Sequence, residues 1–160
     1  MRAGMTGTNS RLLDFLPYRL AVTSNAVSGM IADEYRERFG LKISEWRVMA
    51  ILSDCGPLTQ RELVQCTVTD KVTVNRACKA LEERGFLRRS PNRADGRSHH
   101  LELTEEGREI CEQIWPRVYD AYDRVFAALT PRETDRLRDL LDKLRESVRG
   151  ERNEKAQRVR

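Results

Sequence analysis

At 160 residues, with 39% hydrophobic and 34% charged side chains and a formal net charge of +4, the chain has material for one domain with a core and not for two comfortable ones. No run approaches the roughly 18 apolar residues that span a bilayer. The apolar stretch at Leu12–Leu16 is broken by Asp14 and flanked by Arg11 and Arg19, with no small-residue cleavage site behind it, so a cytoplasmic protein is expected.

Residues 1–10 are rich in Gly, Thr and Ser and read as a flexible N-terminus. From Pro17 to Phe39 the residues Leu20, Ser24, Val27, Ile31 and Tyr35 recur every three or four positions, which predicts one face of a long helix. Pro17 suits its first turn and Gly40 its C-terminal cap. Val22, Ala26 and Met30 lie off that stripe, so the helix is expected to bury a second face, against another copy of the chain. Ser44 is the expected cap of a short helix through Trp46 and Leu52 that stops at Gly56-Pro57. Thr59 and Glu62 have the T-x-x-E spacing of a capping box opening another short helix. A further helix is predicted from Asp70 to Arg84, with Val74, Ala77, Cys78 and Leu81 on its apolar face and Gly85 ending it.

After Gly85 the period changes. Phe86 to Arg89 reads as a strand, residues 90–97 are dense in turn formers, and His99 to Leu103 alternates like a returning strand. Thr104 is the expected cap of a helix carrying Ile110, Ile114, Val118, Tyr122, Val125 and Leu129, with a kink expected at Pro116. Thr130, Pro131 and Glu133 mark another capping box, and Leu137, Leu140, Leu141, Leu144 and Val148 stripe the last helix. Residues 150–160, almost wholly polar, are expected to fray as a disordered tail.

The order of elements matches a winged helix-turn-helix, so the expected fold is mainly α with a small β-hairpin wing. The expected divisions are a helical dimerisation region over 11–43, a DNA-binding lobe over 44–103 and dimerisation helices over 104–149. In that arrangement the second helix of the motif enters the major groove. Lys71, Thr73, Asn75 and Arg76, on its early turns, supply a cation, a hydroxyl, an amide and a guanidinium fork, and the last two suit bidentate contact with adenine and guanine. Any amphipathic helix has a polar face, so the hairpin has to add weight. From Arg88 to Arg97 it holds Arg88, Arg89, Arg93 and Arg97 against Asp95 alone, a local balance of +3. Such a ribbon suits a narrow minor groove, where the negative potential is deepest. The alternative for this segment is a surface turn neutralised by ion pairs.

These pieces carry a family resemblance. Leu58-Thr59-Gln60-Arg61-Glu62-Leu63, Thr69 through Arg76, Leu81 through Arg89, Asp95-Gly96-Arg97 and Leu103-Thr104-Glu105-Glu106-Gly107 occur in the order and spacing of the MarR family of bacterial regulators, which the chain resembles from about residue 11 to 149. The resemblance implies an obligate homodimer, its first helix and last two helices interlocking, on a palindromic operator with half-sites about one turn apart. It implies that Gln60, Thr69 and Arg93 also meet DNA, that Arg97 enters the minor groove and that Asp95 supports it. It further implies repression relieved by a small, often aromatic ligand bound between the dimer helices and the DNA-binding lobe. Tyr18, Ser24 and Trp46 are the candidate ligand residues, with ordinary packing as their alternative role. Phe15 through Leu20 is similar to members that control breakdown of aromatic acids, some of which sense acyl-CoA thioesters.

Cys55, Cys66, Cys78 and Cys111 lack C-x-x-C spacing, so packed, reduced thiols are expected in place of a disulfide or metal framework. The redox-sensing branch of the family has a cysteine near the start of the first helix, and none stands there. His99 and His100 are strand neighbours and point to opposite faces, so no shared metal is expected. No glycine-rich phosphate loop, G-x-S-x-G or H-E-x-x-H occurs, so neither an enzyme nor a cofactor is expected. The competing non-enzymatic reading is a winged-helix dimer that contacts protein and not DNA.

Overall fold

The computed structural model describes residues 11–67, 69–92 and 98–158. Residues 1–10 and the hairpin tip with Arg93, Asp95 and Arg97 lie outside them. The elements in chain order are α1 (Arg11–Asp14), α2 (Leu16–Phe39), α3 (Ile43–Cys55), β1 (Leu58–Thr59), α4 (Gln60–Thr67), α5 (Lys71–Glu83), β2 (Leu87–Pro91), β3 (His99–Leu103), α6 (Glu105–Phe126) and α7 (Pro131–Arg158). This is the expected mainly helical architecture with a β wing.

Local chemistry fixes the boundaries. Pro17 sits in the first turn of α2, and Gly40, at φ 62°, ends it in the left-handed region. The helix predicted to start at Ser44 instead begins at Ile43, after Lys42. A lysine cannot accept a cap bond, so Glu45 Oε2 accepts the Lys42 backbone N–H at 3.0 Å and closes the turn from the other side. The two predicted boxes form as read. Glu62 Oε2 accepts the Thr59 N–H at 2.7 Å while Thr59 Oγ1 accepts the Glu62 N–H at 3.3 Å, and Thr130 and Glu133 repeat the pattern at 2.8 and 3.3 Å.

The sheet is larger than the hairpin. β3 pairs antiparallel with β2, Leu87 opposite Leu103 and Arg89 opposite Leu101. On its other edge it pairs with β1, Leu58 opposite Leu101. Two residues are too few to show a period of two, so β1 leaves no sequence signal.

The chain divides into two compact units, one ending at Ala121 and the other beginning at Tyr122. The boundary between them falls inside α6. The reason is the buried face of α6, where Cys111, Ile114 and Val118 join the same core as Tyr35, Leu41, Met49, Leu63, Val74, Cys78, Leu81, Leu87 and Leu101. That helix continues through Pro116 and ends at Phe126, so Leu129 stands beyond it. In the second unit, α7 passes through Gly150 and stays helical to Arg158, in place of the frayed tail expected from polarity. Glu, Lys, Ala, Gln and Arg after Gly150 are strong helix formers, and one internal glycine costs only about 1 kcal/mol.

At one junction the hairpin, α5 and α6 meet. Gly85 takes φ 75° after α5. Thr104 Oγ1 donates to the Gly85 carbonyl at 2.6 Å and accepts the Gly107 N–H at 3.1 Å, so one hydroxyl closes the α5 exit and caps α6. A Cβ on Gly107 would stand 2.2 Å from the Phe86 carbonyl oxygen. Nearby, Arg84 donates to the carbonyls of Phe39 at 2.6 Å and Gly40 at 3.2 Å, satisfying the end of α2, and stacks on the Phe86 ring at 4.7 Å.

Candidate nucleic-acid interface

The candidate reading surface is the outer face of α5. Asp70, in extended conformation, accepts the Thr73 N–H on Oδ1 at 2.9 Å and the Thr73 hydroxyl on Oδ2 at 2.6 Å. Those two bonds, the hydroxyl's first, hold the Asp70 carboxyl below its ordinary range. They start the helix at Lys71. Val74, Ala77, Cys78 and Leu81 are buried, as the periodicity required, and this fixes what faces outward. At 3.6 residues per turn, Lys71, Val72, Asn75, Arg76 and Lys79 fall within an arc of about 140°, and all five are exposed. Lys71 and Arg76 meet no acid among the described residues, whereas Lys79 lies 3.9 Å from Glu83.

The sequence-predicted residues do not all stand on that arc. Lys71, Asn75 and Arg76 do. Thr73 is half-buried at its flank, its hydroxyl engaged by Asp70. Thr69 is half-buried in the turn before the helix and donates to the Thr67 carbonyl at 3.0 Å. Gln60 turns inward and its amide donates to the Cys78 sulfur at 3.8 Å, joining α4 to α5. Arg93, Asp95 and Arg97 lie outside the described residues. Two residues passed over in the sequence stand on or beside this exposed arc. Val72 is 57% exposed in the middle of a polar face, and Arg61 is exposed beside Gln60 and Lys71, lining one recess with them. An exposed β-branched residue on an otherwise charged arc was the signal for Val72.

The wing's charge also changes. Arg88 meets Glu102 across the strands at 2.9 Å, and Arg89 makes a two-pronged contact with Glu82 of α5 at 2.6 and 3.0 Å. The balance of +3 counted along the sequence therefore includes two arginines neutralised from outside that window.

The three candidate ligand residues do not converge. Trp46 is buried in a row of rings, with Tyr35 at 5.4 Å on one side and Trp115 at 5.2 Å on the other, and Trp115 stacks on Tyr119 at 5.5 Å. Burial pushes the Tyr35 hydroxyl up to about 12. Tyr18 and Ser24 are exposed on α2, roughly 25 and 16 Å along the helix axis from Tyr35. Cys78 and Cys111 are buried, and Cys55 and Cys66 are exposed, which corrects the expectation of four packed thiols. No cluster of metal-ligating side chains occurs among the described residues, and none of their helices is long and apolar enough to cross a membrane.

Comparison with known proteins agrees with this geometry. The MarR family model matches residues 39–98. The chain is 37% identical over 83 residues to the HTH-type transcriptional regulator YwoH of Bacillus subtilis, a stretch covering 52% of this chain and 60% of that one. It is 31% identical over 104 residues to the regulator YkoM of the same organism, covering 65% and 68%. A MarR/EmrR family transcriptional regulator from Acinetobacter superposes with a TM-score of 0.77 at 26% identity, over 83% of this chain and 94% of the other. The chain spans less than two thirds of the length of several curated relatives that it matches, YwoH among them.

Proposed function

This chain belongs to the MarR family of winged helix-turn-helix transcriptional regulators, DNA-binding proteins and not enzymes, and from that membership we propose that it represses transcription as a homodimer on a palindromic operator, released by a small aromatic ligand. The observation that carries the reading is the outer arc of α5. Its apolar face is locked in the core, so Lys71, Val72, Asn75 and Arg76 are presented at fixed angles on a rigid rod. Arg76 suits a guanine edge and Asn75 an adenine edge, and Val72 suits a thymine methyl, while Lys71 and Arg61 are placed for phosphates. Arg97, with Asp95 beside it in sequence, supplies the minor-groove contact.

Repression is supported by a relative of that printed role, the transcriptional repressor MprA of Escherichia coli, 30% identical over 76 residues. The aromatic row through Trp46 and Trp115 ends at the exposed Tyr119, whose ring offers planar ligands a stacking partner. A ligand that prefers the arrangement unable to bind DNA shifts the population toward it, by no more than its differential affinity.

The test is a footprint of the purified protein on the DNA upstream of its own gene, across a salt series. Arg76→Ala should cost about 1–3 kcal/mol at particular base pairs and relax specificity there. An equal loss on every sequence would make Arg76 a phosphate contact. A wild-type protein without affinity for duplex DNA would leave the protein-contact reading in its place. For the ligand arm, both tryptophans stand in the aromatic row, so aromatic acids and their thioesters should quench fluorescence and weaken the footprint together.

A further inference from the structure

We propose that a basic recess on the flank of α5 is a phosphate seat for one strand of the duplex; the proposal rests on the DNA-binding reading above. The recess has a volume of about 390 Å³ and is lined by Arg36 from α2, by Lys42, Ser44 and Arg47 at the start of α3, and by Thr69 and Thr73 at the start of α5. Three cations and three hydroxyls face it, and no carboxylate lines it. Lys42 and Arg47 meet no acid among the described residues. Arg47 makes only a long contact of 3.5 Å with the Ser28 hydroxyl. Arg36 pairs with Asp33 at 3.2 Å, but both side chains are more than half exposed, so that pair is readily exchanged for another anion. Of the carboxylates adjoining the lining residues in sequence, Glu45 is buried and accepts the Lys42 N–H, and Asp70 is engaged by the Thr73 N–H and hydroxyl.

Its position gives the occupant. Around α5, Thr73 follows Arg76 by about 60°, so the recess borders the reading arc on its Arg76 side. The opposite border, beside Lys71, is the recess lined by Gln60 and Arg61. A helix in the major groove lies between two sugar-phosphate ridges, one along each lip of a groove about 12 Å wide. An arc with cations on one border only would grip one strand. Arg36, Lys42 and Arg47 supply the second border, and the Ser44 hydroxyl can add a donor for a phosphate oxygen. These cations come from α2 and the start of α3, both packed with α5 on one core, so the seat is set before DNA arrives.

The experiment compares wild type with the Lys42→Gln/Arg47→Gln double variant on mixed-sequence 30-bp duplexes through a salt series. A second double variant, Arg132→Gln/Arg149→Gln on α7, removes equal charge elsewhere. The slope of log affinity against log salt should flatten by about 0.9 for each phosphate that the first double variant no longer neutralises. Affinity should fall by the same factor on every sequence, with helical content kept, and the α7 variant should follow wild type. Lys42→Gln alone should give part of the change if the double variant folds poorly. A wild-type slope in the Lys42/Arg47 variants overturns the proposal while leaving the DNA-binding reading in place. Absence of duplex binding by wild type overturns both. Saturable binding of inorganic phosphate that is abolished in the double variant, with an unchanged DNA slope, reassigns the recess to free anions and overturns the proposal.

Discussion

Four thiols and three capping carboxylates show how differently one residue type behaves in different places. Burial raises the Cys78 thiol and pushes Cys111 up to about 12, so neither forms a thiolate near neutrality. Cys55 and Cys66 are exposed. Alkylation of the folded protein should therefore modify two cysteines per chain quickly and two only on unfolding. Rapid modification of Cys78 would show that the α4–α5 contact opens freely. Glu62, Asp70 and Glu133 are all held below their ordinary range by hydrogen bonds to Thr59, Thr73 and Thr130. A carboxylate whose folded value is depressed stabilises the fold fully above its unfolded value and ceases to do so as the pH falls through the folded one. Stability should be flat from neutrality to about pH 5 and fall below about pH 4. A melting series in pH steps reads this directly, and a decline already complete at pH 6 would assign the dependence to other groups.

Between elements, the controlling contact is the junction of Gly85, Phe86, Thr104 and Gly107. Gly107→Ala puts a methyl against a backbone carbonyl that cannot swing aside. It should cost about 1–3 kcal/mol by overpacking and lower the melting temperature, whereas Gly29→Ala, with open space around it, should be neutral or stabilising. Equal behaviour of the two variants would remove the junction from the fold's support. The same junction shows what a sequence displays. Capping boxes were legible because two residues within a four-residue window make one, and α5 was legible because its period of 3.6 repeats over four buried positions. The partners of Arg88 and Arg89 were not, because Glu102 and Glu82 become neighbours only through strand register and the packing of β2 on α5. The Gln60 contact was hidden for the same reason: the Cys78 sulfur that its amide meets lies on α5, eighteen residues away. The basic recess draws on three elements, so no single window of sequence contains it.

At the scale of the whole molecule, the unexplained feature is apolar surface. Leu12, Leu13, Phe15, Leu16, Leu20, Val22 and Met30 are exposed in the first unit, and Leu140, Leu141, Leu144 and Val148 in the second. Each such side chain gains about 1.5–3 kcal/mol on full burial, and a stable interface needs roughly 1,200–2,000 Å² of total area. The two stretches lie on the helices that the family resemblance gives to the dimer, and members of the family typically bind DNA as dimers. Leu144→Glu/Val148→Glu places charge on that stripe without touching the DNA-binding lobe's core. It should yield monomers that keep their helical content, and the melting temperature of wild type should rise with protein concentration where the variant's does not. The DNA consequence is steeper than the loss of half the interface with the duplex. In a dimer, once one copy of α5 is seated, the second binds at the high effective concentration that the linkage sets, and a monomer forfeits that gain. Sedimentation equilibrium of both proteins, with and without a duplex, separates the two effects. A wild type that sediments as a monomer would leave these leucines without a role.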